Sequence, residues 1–176
     1  MKAVLIWSLM ILIPCLVFGA EIHVPADYPT IQAAVNAAAY WDVIIVADGL
    51  YTGPGNRDIT FLSKDLTLRS ENGPDNCIIY ISSLPDENHN AFEIDDGEDE
   101  NTLIDGFTIT NGFTTSPARG CAINVRNSSP TITNCKFISN VAASEGAVIK
   151  FSNSMSRISN CVLTGNSVAE ARGYCY

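Results

Sequence analysis

Apolar residues come in short bursts along this chain. They appear as "VIIV" (43–46), "LTL" (66–68), "CIIYI" (77–81), "AFEI" (91–94), "AINV" (122–125), "CKF" (135–137), "VIKF" (148–151) and "CVL" (161–163). Gly, Asn, Ser and Pro punctuate them in stretches such as "DGLYTGPGN", "SENGPDN" and "RNSSPT". Runs this short, bounded by turn chemistry and lacking a sustained 3.6-residue period, predict β-strands and exclude a helical solenoid in the second half. One segment differs. "TIQAAVNAAAY" (30–40) is Ala-rich and puts Ile31, Ala34, Val35 and Ala38 on one face, with Asp27 and Thr30 placed to cap its start. It predicts a short amphipathic helix that closes the open end of whatever the strands build.

The strands recur in register. Residues 119–143 laid over 145–169, an offset of 26, match Gly120 with Gly146, Ile123 with Ile149, Asn127 with Asn153 and Ile132 with Ile158 without a gap. The same offset matches Asn134–Cys135 with Asn160–Cys161, Phe137 with Leu163 and Asn140 with Asn166. A looser copy, "LIDGFTITNG" (103–112), puts Phe107 and Ile109 at the places of Cys135 and Phe137. A period of this length marks stacked repeats, in which position n lands on position n+26 of the next coil, about 4.8 Å away. Like residues then form ladders, apolar ones inward. Asn140 and Asn166 are expected at turns, where Asn tolerates left-handed backbone and bonds along the ladder. The predicted fold class is all-β: a right-handed parallel β-helix, a single-stranded solenoid, with a short N-terminal capping helix.

The leader and the charge place the chain. "MKAVLIWSLMILIPCLVFGA" has Lys2 before an apolar run broken by Pro14 and ends in Gly19 and Ala20, the layout of a secretory signal peptide over residues 1–20. The run is too short for a spanning helix, so no transmembrane segment is expected after its removal. Residues 21–176 then form one β-helix domain in a secreted, extracellular or cell-surface protein. Gly173 to Tyr176 read as the opening strand of a further coil, so the domain is expected to be incomplete at its C-terminus and prone to end-to-end self-association. The net charge is −9, with −14 between Glu21 and Asp105, +4 beyond and Lys2 in the leader, a balance that disfavours nucleic acid as a partner.

Five cysteines follow the leader: Cys77, Cys121, Cys135, Cys161 and Cys175. Cys135 and Cys161, stacked with parallel Cβ vectors, are expected inside as free thiols, because their Cβ atoms sit further apart than the roughly 3.8 Å a disulfide prefers.

In order, "IHVPADYPTIQAAVNAA", "DVIIVADGLYTG", "LTLRSENGPDNCII", "LIDGFTITNG" and "SSPTITNCKFISN" resemble the opening of exported bacterial right-handed parallel β-helix repeat proteins of the pectin-lyase-like fold. "GCAI" (120–123), "GAVI" (146–149) and "FISN" (137–140) are similar to the repeats of polymorphic outer-membrane adhesins. The resemblance implies the fold and leaves the activity open, because one fold hosts many functions.

Pectate lyases, polygalacturonases and pectin methylesterases share that fold, and each needs acids or bases clustered on one face. Asp105 faces Thr133 and Ser159, so no carboxylate ladder forms there, and "GLYTG" has Gly53 where the esterase pattern carries an acid. Arg119, Arg126, Arg157 and Arg172 read as solvated strand or turn residues. His23 and His89 have no recognisable partner. The run "EIDDGEDEN" (93–101) holds Asp95, Asp96, Glu98 and Asp99 without the spacing of a known calcium loop and reads as a solvated turn. The sequence therefore assigns no catalytic, cofactor-binding or metal-binding residue. It points to a surface module that binds polysaccharide or cell-surface glycan or serves structurally, with a carbohydrate-active enzyme on the same scaffold as the alternative.

Overall fold

A computed structural model of the chain describes residues 19–81, 88–115, 120–143 and 147–169. The expected leader, Arg119, Arg172, Cys175 and the strand expected over 173–176 all lie outside these residues, apart from Gly19 and Ala20 at the leader's end. Along the chain run β1 (Glu21–Val24), α1 (Ile31–Ala37), β2 (Val43–Val46), β3 (Gly49–Thr52), β4 (Thr67–Ser70) and β5 (Cys77–Tyr80). Then come β6 (Phe92–Ile94), β7 (Leu103–Asp105), β8 (Thr108–Thr110), β9 (Phe113–Thr114), β10 (Gly120–Arg126) and β11 (Thr131–Thr133). The last are β12 (Lys136–Ile138), β13 (Val141–Ala143), β14 (Ala147–Ser152), β15 (Arg157–Ser159), β16 (Val162–Thr164) and β17 (Ser167–Ala169).

Every named strand pairing is parallel, and the strands sort into four sheets: β1-β2-β4-β7-β11-β15, β3-β5-β8-β12-β16, β6-β10-β14 and β9-β13-β17. The right-handed parallel β-helix read from the sequence is therefore the fold. Each later coil holds four strands where the apolar runs marked two. The additional ones, such as β11 and β13, are three-residue pieces too short for an alternation to register. β3 lies in a stretch expected to be punctuation: Tyr51 turns inward there, and its hydroxyl donates to the carbonyls of Val24 and Ala47.

Apolar ladders fill the lumen. One column runs Ile22, Ile44, Leu68, Ile104, Ile132, Ile158, and another Tyr51, Ile79, Ile109, Phe137, Leu163. The middle members are fully buried, each side chain stabilising by about 1.5–3 kcal/mol. The outermost, Ile158 and Leu163, are exposed on coil edges that pair on one side only.

Left-handed residues turn the corners at stacked positions: Gly106, Asn134 and Asn160 in one column, Asn111, Ser139 and Gly165 in another. Asn140 and Asn166 are not among them, which corrects half of the expectation. They sit beside the corner, Asn140 fully buried, and act along the ladder. Asn140 Oδ1 accepts from Gly112 N at 2.9 Å, its Nδ2 donates to Ile109 O at 3.0 Å, and Asn166 Oδ1 accepts from Asn140 N at 2.9 Å. The 26-residue register holds through β10 and β14 except at the start, where Gly120 pairs with Ala147 and not Gly146. The irregularity follows Gly120, where an added Cβ would lie 2.0 Å from Ile123 O.

The helix forms where its sequence put it and packs Ile31, Ala34 and Val35 against the first coil. Thr30 caps it by accepting from Ala33 N; Asp27 does not, because its carboxylate accepts from His23 N instead. Lys64 closes the other end, its ammonium donating to the carbonyls of Val35, Asn36 and Ala38.

Candidate functional site

The sheet β6-β10-β14 presents a polar row outward between apolar neighbours. Ile123 and Val125 point into the lumen opposite Phe92 and Ile94, so the alternation of β-structure turns Glu93 and Asn124 outward, side by side, with Lys150 next in the row. Glu93 is the centre of a closed arrangement. Its Oε1 accepts from Asn124 Nδ2 at 2.7 Å and its Oε2 from Asn90 Nδ2 at 2.9 Å. Arg126, one residue pair along, donates to Asp95 at 2.8 Å and reaches Glu93 at 3.4 Å.

On the other side Asp58 accepts from Asn90 N at 3.1 Å and pairs with His89 Nδ1 at 2.5 Å. Asp58 itself holds a left-handed backbone, φ 52°, fixed by the hydrogen bond from its own N–H to Asn90 O.

Asn90 and Asn124 are buried, with 3% and 0% of their surface exposed, and both leave the amide Oδ1 without a hydrogen-bond partner among the described residues. A buried acceptor without a donor costs about 1–3 kcal/mol, so two beside one carboxylate form the least satisfied spot of the described chain. Around them stand a carboxylate, a half-exposed guanidinium and the part-buried Lys150. Donors and acceptors alternate over roughly one or two coil spacings, about 5–10 Å. Such a set matches a ligand whose groups both donate and accept, as hydroxyls do.

Several residues singled out from the sequence meet here. Arg126 is an ion-paired member of the row, where the sequence read it as a solvated residue, and Arg157 is exposed on β15. The acidic run is less a solvated turn than expected: Glu93 and Asp95 belong to the row, and Glu98 is 2% exposed. Glu98 accepts from the backbone N–H of Ser63 and Asp96 and from Ser128 Oγ, which ties three coils at one corner. His89 has a partner after all in Asp58, supplied by the preceding coil, while the expected absence of a carboxylate ladder at Asp105 follows from its register with Thr133 and Ser159. Asn90 and Asn124 carried no sequence signal beyond the latter's place opposite Lys150. Among the described residues, no group of three or more His, Cys, Asp or Glu is arranged to hold a metal ion.

Residues 63–173 match the model of a family described as "Protein of unknown function (DUF1565)". No curated protein and no solved structure matches the chain.

Proposed function

The chain belongs to the DUF1565 family, and from that premise we propose that it is an exported or cell-surface β-helix module that binds a polysaccharide or cell-surface glycan on its β6-β10-β14 face. Export is supported by the leader layout over residues 1–20. The observation that carries the binding reading is the pair of buried amide oxygens of Asn90 and Asn124 flanking Glu93, without a hydrogen-bond partner among the described residues. Arg126 and Lys150, the donors of the row that solvent reaches, give to sugar hydroxyls at the surface, and the amide oxygens, closed to solvent in the free protein, accept from a hydroxyl when the side chains covering them move aside on binding.

The test is affinity electrophoresis of the protein through gels containing neutral or acidic polysaccharides. The wild type is expected to be retarded by at least one of them. Asn124→Ala, shown to be folded by its melting transition, is expected to bind about tenfold more weakly, the value of one or two hydrogen bonds. Retardation by no polysaccharide, or equal retardation of wild type and variant, overturns the reading.

The Asp58–His89 pair next to Asn90 favours a second reading, a carbohydrate-active enzyme in which His89 acts as a general base oriented by Asp58. Release of reducing ends or of unsaturated-uronate absorbance from the retained polysaccharide, lost in His89→Gln, supports it; absence of both leaves the binding module.

A further inference from the structure

Most of the large apolar side chains that stand exposed among the described residues lie on β14 to β17 or the turns between them, and on the last described coil openness follows from position alone. The same holds for the half-open free thiol of Cys161, one coil beyond the buried free thiol of Cys135. Tyr40 and Trp41 are different. They are 52% and 55% exposed with chain on both sides: Trp41 N donates to Asp65 O at 2.7 Å in the following coil, and on the preceding side Val43 N donates to Ala20 O at 2.9 Å. Asp42 locks the loop between α1 and β2, its carboxylate accepting from Ala20 N at 2.7 Å and from Ala39 N at 2.8 Å. Gly19 lies so close that an added Cβ would be 1.8 Å from the Trp41 carbonyl oxygen.

Trp41 also holds a left-handed backbone, φ 72°. It turns the corner that leads into the β1-β2-β4-β7-β11-β15 sheet. In later coils that corner is turned by Gly97, Asn127 and Asn153, residue types that adopt left-handed backbone cheaply, whereas the first two coils use Trp41 and Leu62, the latter at φ 59° and 45% exposed. Bulky side chains thus occupy strained backbone without the burial that would offset the strain, and strain of that kind gathers at binding sites. Leu62 links the loop to the polar row. Ile59 is in register with Phe92, so three residues on Leu62 precedes Asp95 in the column that continues to Arg126.

We propose that Tyr40 and Trp41 form an aromatic platform on which one pyranose ring of the bound glycan stacks its C–H face, at the capped end of the polar row. The proposal rests on the reading of the β6-β10-β14 face as a glycan surface and adds a contact which that reading does not use. Size selects the occupant. Two rings and a leucine offer roughly a few hundred Å², short of the about 800 Å² that each partner gives to a stable protein interface. The charge of −14 over Glu21 to Asp105 sets the patch against anionic lipid headgroups. A pyranose suits both limits, being ring-sized, uncharged on its C–H face and hydroxylated at its edge. A rigidly held Tyr–Trp pair gives contact area at little cost in side-chain freedom. Trp41 lies three coils from Asn124, about 14 Å at the spacing of β-strands, so one oligosaccharide of several units reaches both.

Trp7→Phe leaves Trp41 as the only tryptophan of the full chain. Acrylamide quenching of its emission is followed with and without the polysaccharide that retards the protein in gels; the quenching constant is expected to be at least twofold lower in the complex. This readout needs no change at the platform itself. Trp41→Asn supplies a residue suited to left-handed backbone, so it is expected to keep its cooperative melting transition yet bind about tenfold more weakly. Retardation of the wild type with unchanged quenching, or with equal retardation of Trp41→Asn, overturns the platform and leaves the β6-β10-β14 reading standing. Retardation by no polysaccharide overturns both. A Trp41 already shielded from acrylamide in the free protein would show another part of the chain on the platform and overturn it too.

Discussion

Cys77 sits in the wall of the solenoid, fully buried, and an ionised sulfur there has no water and the Asp48 carboxylate for a neighbour. Burial first, and Asp48 second, raise its pKa from 9.0 to about 12; burial raises Cys121 from 9.0 to about 11 and, ahead of nearby anions, Tyr51 from 10.0 to about 12. The sign follows from linkage. In the unfolded chain these groups lose protons near their ordinary values while the folded chain retains them, so the stability they protect is complete below pH 9 and drains away as pH rises toward 12. Urea unfolding between pH 8 and 11 should show falling stability, and Cys77→Ala, although weaker at pH 8 because it leaves a small cavity, should lose stability less steeply with pH. Parallel slopes for the two proteins would remove Cys77 from the account.

Single residues were unevenly legible in the sequence. Asn134 and Asn160 repeat at the solenoid's period, and their left-handed backbone is what a repeated Asn at a corner suggests. Asn140 and Asn166 carry the same signal for a different cause, since a side-chain amide that bonds along a ladder recurs in register just as a turn residue does. Glu98 and the Asp58–His89 pair were hidden because their partners lie a whole coil away, and the coils of the first half differ in length, so no constant offset reveals who meets whom.

Among the elements, α1 depends most on side chains outside its own apolar face. Seven residues are too few for a stable isolated helix, so its two ends are held by Thr30 and Lys64 and its face by the first coil. Thr30→Ala is expected to lower stability by about 1 kcal/mol through the lost cap. Lys64→Met, which keeps the apolar stem but frees three carbonyls, should cost a comparable amount, roughly 1–2 kcal/mol. Thermal melts of both variants test this; unchanged midpoints would show that packing alone holds the helix. The helix was legible because a 3.6-residue pattern stands out in a chain of short strands. Its Lys64 clamp was not, since it comes from a loop beyond β3. The strands β11, β13, β15 and β17 escaped because three residues give no alternation to count, and the stack supplies the pairing that their own sequence does not specify.

For the molecule as a whole, the stack gives two different surfaces from one repeat. Inside, ladders keep one kind of residue from coil to coil, because neighbours about 4.8 Å apart must share a volume. Outside, β6-β10-β14 changes from Glu93 to Asn124 to Lys150 along the same column, so a row of unlike groups is displayed at a fixed spacing. That display, with two amide oxygens lacking donors among the described residues, is the basis for the proposal that the protein is a binding module and for where its contact is proposed to lie. Hydrogen exchange followed by mass spectrometry, with and without the polysaccharide that retards the protein, tests this most directly. The account predicts that added protection falls on peptides covering residues 88–98 and 120–126 and on β14 around Lys150, and that Asn124→Ala weakens it at the same polysaccharide concentration. Protection on the β3-β5-β8-β12-β16 face with none on β6-β10-β14 would contradict it.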